Sequence, residues 1–457
     1  MSLFRLKQVN THAHSDTGLK RTLGPWDLTF LGIGAIIGAG IFVLTGIAAA
    51  TKAGPAVILS YIVAGTACGF AALAYAELSS AVGGSGSAYG YAYAGLGEIV
   101  AWVVGWALVL EYGLAVSAVA IGWSGYVNNG LQALGVVLPQ ELVTPPHAGG
   151  LVNLPAMAII LALGGLLCAG ISGSAKLNAF GVIVKLCSIL VFIFVALGHV
   201  NTANYHPFMP FGLQGVFGGA GLIFFAYVGF DAVSTAAEEA KNPQRDLPIG
   251  IIASLVVCTL LYMLVAGLLT GIAPYTTLNN PSPVSTALLS LGLRTPALLT
   301  SIGAVAGLTT VMLVCYYGQT RVLFAMSRDG LLPAIFSQVN PKTQTPITVI
   351  ITVGILLAAV AGFAKIDEVA SLTNMGTLLA FVVVCIGVLV LRKTRPELPR
   401  PFKTPFMPVV PILGVVFCLF LMTQLEIKTW KYFAIWMAIG LVIYFSYSRR
   451  HAVVGRI

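Results

Sequence analysis

Long apolar runs separated by short polar breaks fill almost the whole chain. A membrane-spanning helix needs about 20 mostly apolar residues. Twelve stretches meet that length, at 27–50, 56–80, 98–128, 154–172, 176–198, 214–237, 247–271, 297–322, 346–364, 368–391, 408–425 and 430–447. The third is long enough to cross at a tilt. The eighth is expected to start early, because 284–293 is also apolar and helix-like. Strand-length segments of alternating polarity are missing, so the pattern predicts an all-α membrane protein of twelve transmembrane helices.

Composition agrees with that pattern. Of 457 residues, 58% are hydrophobic and 9% are charged, and the mean hydropathy is +0.94. A soluble chain carries about 25% charged residues. Soluble enzymes, disordered regulators and secreted disulfide scaffolds are thereby excluded. The net charge of +9 reads as topology rather than nucleic-acid binding. Eighteen Lys and Arg residues fall on one face of the predicted bundle; five (Lys52, Arg294, Lys365, Lys428 and Lys431) fall on the other. The positive-inside rule then puts both termini in the cytoplasm. The start of the chain is polar and lacks a cleavable signal pattern, so the first span is expected to direct insertion. The seven cysteines lie in or beside apolar runs, without metal-site spacing, and are expected to be free thiols. No metal or cofactor is expected.

Spans one to five and six to ten have similar lengths. Five is odd, so a second copy would enter from the opposite side, which is the arithmetic of an inverted repeat. The expected organisation is a cytoplasmic segment at 1–26, a first repeat at 27–198, a second repeat at 214–391, a basic linker with two additional helices at 392–447, and a cytoplasmic tail at 448–457. The first span of each copy is rich in glycine, with Gly32, Gly34, Gly38 and Gly40 in one and Gly218, Gly219, Gly221 and Gly229 in the other. Glycine inside a helix costs about 1 kcal/mol relative to alanine. Such glycines also serve close helix packing, but their correspondence in the two copies points to broken helices at a midplane site.

Unwinding at Ile36, Ile37, Gly38, Ala39 and Gly40 would bare backbone N–H and C=O groups that need partners in hydrocarbon. A zwitterion supplies both kinds. Its carboxylate would accept from N–H groups near Gly38, Ala39 and Gly40, at the positive end of a half-helix. Its ammonium would donate to carbonyls near Ile36, Ile37 and Phe225. The glycines miss the dinucleotide-binding spacing, and no phosphate-binding loop is present, so no nucleotide and no nucleic acid partner is expected.

Lys185 belongs to neither face and falls near the middle of the fifth span. A charge at that depth costs at least about 2.5–3.5 kcal/mol. It must snorkel, meet a fixed partner, or give up its proton readily in an apolar site. Glu111 is deep in the third span and either pairs or titrates. Asp231 follows the sixth-span break and either caps the second half-helix or serves a gate or proton step. Glu77, near the cytoplasmic end of the second span, suits a structural ion pair or gate contact. Asp27 suits a cap of the first helix. Thr309, Met312 and Cys315 share roughly one face of the eighth span, as pocket lining or as packing. The run 83–93 is rich in glycine and tyrosine and reads as a turn; 395–405 is a stiff, basic, proline-rich linker.

Several segments carry a family resemblance. The run Lys20-Arg21-Thr22-Leu23-Gly24-Pro25-Trp26-Asp27, followed by Gly32-Ile33-Gly34-Ala35-Ile36-Ile37-Gly38-Ala39-Gly40-Ile41-Phe42, resembles the first helix of amino acid–polyamine–organocation (APC) transporters. It is most similar to their cationic amino acid transporter branch, in its bacterial form. Ala74-Tyr75-Ala76-Glu77-Leu78, Glu238-Glu239-Ala240-Lys241-Asn242-Pro243 and Arg321 to Gly330 extend the match. The resemblance implies the leucine-transporter fold, alternating access, and amino-acid substrates. It also implies that a lysine ammonium on the fifth helix replaces a coupling ion between helices one and eight, a position Lys185 matches. It makes Phe225 a cover over the substrate, and the run 83–93 a cytoplasmic gate hinge.

The expected substrate-binding set is therefore Ile36, Ile37, Gly38, Ala39, Gly40, Ile41, Phe225, Ala226, Val228, Met312 and Cys315, with Lys185 as the proton-coupling residue. No acidic residue is assigned to a cationic side chain. Small neutral L-amino acids such as alanine are thus favoured, with arginine or lysine transport, or amino-acid exchange, as alternatives. The expected partners are the substrate, a proton and the lipid bilayer, in a bacterial inner membrane; a monomer is compatible with everything in the sequence. Catalytic motifs are missing, and an enzyme is not expected.

Overall fold

The computed structural model describes residues 5–6, 23–82, 88–170, 175–235, 240–343 and 345–453, without the side chains of 175–179, 232 and 235. Lys20, Arg21, Glu238, Glu239 and the 83–87 part of the expected hinge lie outside the described residues.

Among the described residues, helices account for all regular structure beyond one isolated bridge between Leu23 and Ala240. Seven helical runs are long and apolar enough to cross a membrane, and four shorter apolar helices accompany them, at Leu154–Cys168, Gly212–Tyr227, Ile347–Phe363 and Val409–Thr423. Leaving aside the short Gln140–Val143 and Arg449–His451, the α-helices in chain order begin with α1 (Pro25–Ile36), α2 (Thr45–Ala48), α3 (Val57–Val82), α4 (Ala88–Gly95), α5 (Glu98–Ala133), α6 (Leu154–Cys168), α7 (Ala175–Leu197) and α8 (Gly212–Ile223). There follow α9 (Ala232–Thr235), α10 (Pro243–Ile272), α11 (Pro283–Ser290), α12 (Arg294–Arg328), α13 (Ile347–Phe363), α14 (Ile366–Thr394), α15 (Val409–Thr423) and α16 (Ile427–Ile443). Flanking α2, Gly40–Leu44 and Ala49–Ala53 are wound as π-helix.

The long α5 forms the centre of the bundle, packed between α12 and α14. On its flanks α10 packs against α1 and α3, α7 against α12, and α15 against α14. The start of α1 is closed by Asp27, whose carboxylate accepts the Gly24 N–H at 2.8 Å. On α16, Trp436 stacks on Trp106 of α5 with ring centroids 4.4 Å apart. Each indole N–H donates to the other residue's carbonyl, at 2.8 and 3.0 Å.

Two sequence expectations are corrected. Residues 284–293 do not extend the eighth span: α11 is a separate helix, ended by a turn at Gly292 before α12 begins. The described half of the glycine–tyrosine run is not a loop either. Ala88 to Gly95 form α4, and its tyrosines face inward, where Tyr89 donates to Asp329 at 2.8 Å.

Glu77 ties the basic linker to the bundle. It is buried near the end of α3. Arg392 at the end of α14 grips it with two hydrogen bonds, Nε to Oε1 at 2.8 Å and Nη2 to Oε2 at 2.6 Å. The Thr404 N–H adds a third bond at 2.7 Å, and Arg400 stands 3.6 Å away. This is the structural ion pair, bidentate and largely withdrawn from water. A second pair, Lys52 with Glu426 at 2.8 Å, is partly exposed. The Lys52 hydrogen bond, followed by the Lys52 charge, holds the Glu426 carboxyl below its ordinary range. Breaking a buried pair strands a charge and costs about 3 kcal/mol or more, whereas an exposed pair contributes at most about 1 kcal/mol. Glu77→Ala should therefore lower the unfolding temperature in detergent markedly, and Lys52→Ala should barely move it. Equal effects of the two substitutions would contradict this assignment.

Candidate functional site

The first helix breaks where the glycines predicted. α1 ends at Ile36, and Ile37 turns extended (φ −73°, ψ 104°), so helical hydrogen bonding stops before the π-wound segment begins at Gly40. The sixth-span helix breaks in the same manner. α8 tightens into a 3-10 turn at Phe224–Tyr227, Val228 is extended, and Gly229 has φ 111° before α9. That dihedral favours glycine. A Cβ at Gly229 would also stand 2.8 Å from the Ala35 carbonyl oxygen.

The two breaks face each other at van der Waals contact. A methyl group on Gly40 would overlap the Cα and Cβ of Ala226. Ile36, Ile37, Ala39, Ile41, Phe225, Ala226, Val228 and Met312 are all buried, Val228 being the most exposed at 8%; Gly38 and Gly40 are buried as well. The unwound backbone is thus closed off from solvent. Cys315 on α12 is half-buried.

Side chains from neighbouring helices reach the bared carbonyls. Lys185, fully buried on α7, donates from Nζ to the carbonyls of Gly34 and, at 2.9 Å, Ile37. Tyr262 on α10 places its hydroxyl 2.9 Å from the Ile36 carbonyl and 2.9 Å from the Ala226 carbonyl. With one proton it donates to one of them at a time, and so spans both breaks. Tyr126 on α5 donates to the Phe42 carbonyl at 2.5 Å. Asn374 on α14 donates to the carbonyls of Gly221 and Leu222 at 2.8 and 2.9 Å, at the end of α8. The carbonyls expected to receive a substrate ammonium, Ile36 and Ile37, thus already accept from Tyr262 and Lys185. A carbonyl oxygen has two lone pairs, so each can accept a second donor.

The remaining expected residues fall into separate groups. Glu111 is buried against α14 beside Gly376, and its Oε2 has no protein hydrogen-bond partner among the described residues. The neighbouring Tyr112 donates to Asp231 at 3.3 Å. Both carboxyl groups lie within electrostatic reach of each other and of Cys315. Thr309 accepts from the indole of Trp123 at 2.9 Å, which pins α12 to α5. Glu77 is bound to the linker and is not among the residues gathered at the breaks. Sequence reading missed Tyr126, Tyr262 and Asn374, and also Tyr61 on α3, whose hydroxyl lies 3.4 Å from the Gly40 carbonyl. Polar groups in otherwise apolar spans were the available signal, since a buried tyrosine hydroxyl or amide needs a partner.

Apolar helices packed around two buried backbone breaks define a multi-pass membrane protein with an internal backbone site. The amino acid permease family profile matches residues 23–445. Over its whole length, the chain is 51% identical to 99% of the branched-chain amino acid permease BcaP of Bacillus subtilis (strain 168). It is 49% identical, over the full length of both chains, to the methylthioribose transporter of the same organism. Over 87% of its length it is 40% identical to the vacuolar cationic amino acid transporter 4 of Arabidopsis thaliana, covering 68% of that protein. The chain belongs to the amino acid permease family of the APC superfamily. It is a transporter, not an enzyme.

Packing of the two breaks gives a sharp expectation. Gly40→Ala forces Ala226 away and should abolish substrate binding by the purified protein. Gly69→Ala, on α3 with nothing within 4 Å of the new methyl, should bind as the parent does. Ligand-induced thermal stabilisation separates the two; retained binding in Gly40→Ala would contradict the close approach of the breaks.

Proposed function

We propose that the protein is a proton-coupled L-amino-acid symporter that works by alternating access and carries small neutral amino acids such as alanine. The observation that carries this reading is the Lys185 ammonium on the Gly34 and Ile37 carbonyls. At the C-terminal end of α1, a cation offsets the negative end of the helix dipole and satisfies carbonyls left without helical donors. A lysine can lose that charge to a proton acceptor, whereas a bound metal ion must leave bodily. Proton release from Lys185 would withdraw a charged donor from the break and couple protonation to the geometry of Ile36 to Gly40.

The substrate carboxylate would accept from N–H groups near Gly38, Ala39 and Gly40, and its ammonium would donate to the second lone pairs of the Ile36, Ile37 and Phe225 carbonyls. Val228, Met312 and the Phe225 ring would offer apolar surface to a small aliphatic side chain. The relatives are named for different cargoes, branched-chain and cationic amino acids and methylthioribose, so family membership alone does not fix the cargo. One observation favours a second reading, cationic amino acids: the buried Glu111–Asp231 pair stands within electrostatic reach of Cys315.

This reading also carries the architecture. Twelve crossings follow if the broken α1–α2 and α8–α9 segments each count as one span and the other three shorter apolar helices also cross. Spans one to five (27–198) and six to ten (214–391) would then form the 5+5 inverted repeat, with the breaks at corresponding places. The linker at 392–447 with its two helices stands outside the repeat, and both termini lie in the cytoplasm of a bacterial cell, at the inner membrane.

Uptake by purified proteoliposomes tests the proposal, with labelled alanine, leucine, arginine and lysine, an imposed pH gradient, and sodium present or removed. For one proton per substrate, one pH unit sustains about tenfold accumulation. The parent should reach that level with alanine and without sodium, and Lys185→Ala should fall to passive equilibration. Full pH-driven accumulation in Lys185→Ala, or uptake that requires sodium, would overturn the coupling; counterflow without net uptake would identify an exchanger.

A further inference from the structure

The reach of Lys185 depends on a seam between α7 and α12. Three residues of α7, Gly181, Lys185 and Ser188, are spaced i, i+4 and i+7. They meet Thr310, Gly307 and Gly303 of α12, which run the opposite way over an equal seven-residue span. At each level one partner is a glycine whose bare backbone receives the other's side chain, the small-residue device of membrane helices. At the outer levels the guest is a short side chain. A methyl on Gly181 would overlap the Thr310 methyl, and one on Gly303 would overlap Ser188 Cβ and lie 2.5 Å from its Oγ.

The middle level differs in kind. A methyl on Gly307 would lie 2.8 Å from Lys185 Cβ and 3.0 Å from Lys185 Cδ. Carbon atoms pack best at about 3.5–4.0 Å. The aliphatic stem of the lysine therefore rests on the Gly307 backbone, and that rest fixes where the ammonium ends. On the opposite side Gly34, whose carbonyl the ammonium holds, leaves room for Val182 one turn earlier on α7: a Cβ there would be 2.7 Å from Val182 Cγ2. The stem thus lies on bare backbone of α12, and its ammonium reaches the bared carbonyls of α1. From the packed helices, the titratable side chain that faces the ammonium is Cys258 on α10; α1 presents its Gly34 and Ile37 carbonyls.

We propose that Gly307 is a positioning residue for the coupling amine of Lys185. This rests on the proton-coupling reading of Lys185. Filling Gly307 displaces the stem, lengthens the bonds to Gly34 and Ile37, and weakens the groups that favour the charged lysine. It does not touch the substrate.

The test is the pH profile of alanine uptake in proteoliposomes of the full chain. Gly307→Ala should move the midpoint to lower pH by about one unit, a tenfold change in proton affinity, with the alanine KM at low pH unchanged. Gly303→Ala perturbs the same seam one level away and should keep the parental midpoint. A parental profile in Gly307→Ala, or an equal shift in Gly303→Ala, would overturn the proposal. If Gly307→Ala does not fold, Gly307→Ala with Lys185→Gly should restore a folded, monodisperse protein, because both close atoms, Cβ and Cδ, are gone; a double variant that still fails to fold would overturn the proposal. Failure of the coupling reading itself shows separately, as pH-driven accumulation surviving in Lys185→Ala alone.

Discussion

Backbone carbonyls inside a membrane must find donors, and the organisation of this bundle follows from that constraint. Each unsatisfied group in hydrocarbon costs several kcal/mol. The chain nevertheless unwinds two helices in its interior, at Ile37 and at Val228. It meets the cost with donors from other helices: Lys185 from α7, Tyr262 from α10, Tyr126 from α5 and Asn374 from α14. These donors differ in chemistry. A tyrosine or asparagine satisfies a carbonyl permanently, whereas a lysine does so as a cation that can give up its proton. The permanent donors hold the breaks open as backbone sites; under the proposed coupling, the removable charge would make one break responsive to protons.

Glycines provide the second half of that design. They let the broken segments approach until Gly40 touches Ala226, and they let α7 sink onto α12 until the Lys185 stem lies on Gly307. The outer framework is fixed by different means. The Glu77–Arg392 pair and the reciprocal tryptophan clasp between α5 and α16 tie peripheral elements to the core. A rigid frame around two weakly wound segments leaves the fewest backbone hydrogen bonds at the breaks, where the proposed alternating access would need motion.

Much of this arrangement was legible in the sequence. Apolar run length gave an all-helical membrane protein, and Gly34 to Gly40 gave the position of the first break, because both signals are local. The isolation of Lys185 in an apolar span marked it out, since an unpaired charge there is costly. Its acceptors were not readable, because Gly34 and Ile37 contribute only backbone, whose availability depends on where the helix unwinds. Tyr262 and Asn374 were overlooked because one polar residue in an apolar span resembles ordinary packing until its partner is known. Glu77 could be read as a structural pair, but not as the anchor of Thr404, which lies 327 residues away. Residues 284–293 and 88–93 were misjudged because composition does not reveal the turn at Gly292 or the tertiary support of α4.

In the proposed cycle a proton, held at Lys185, travels with a neutral amino acid. Substrate-evoked current in purified proteoliposomes measures this most directly, on a solid-supported membrane in sodium-free buffer. Alanine added outside should evoke inward positive current that grows as the external pH is lowered. Alanine uptake with no accompanying charge movement at any pH would contradict the account.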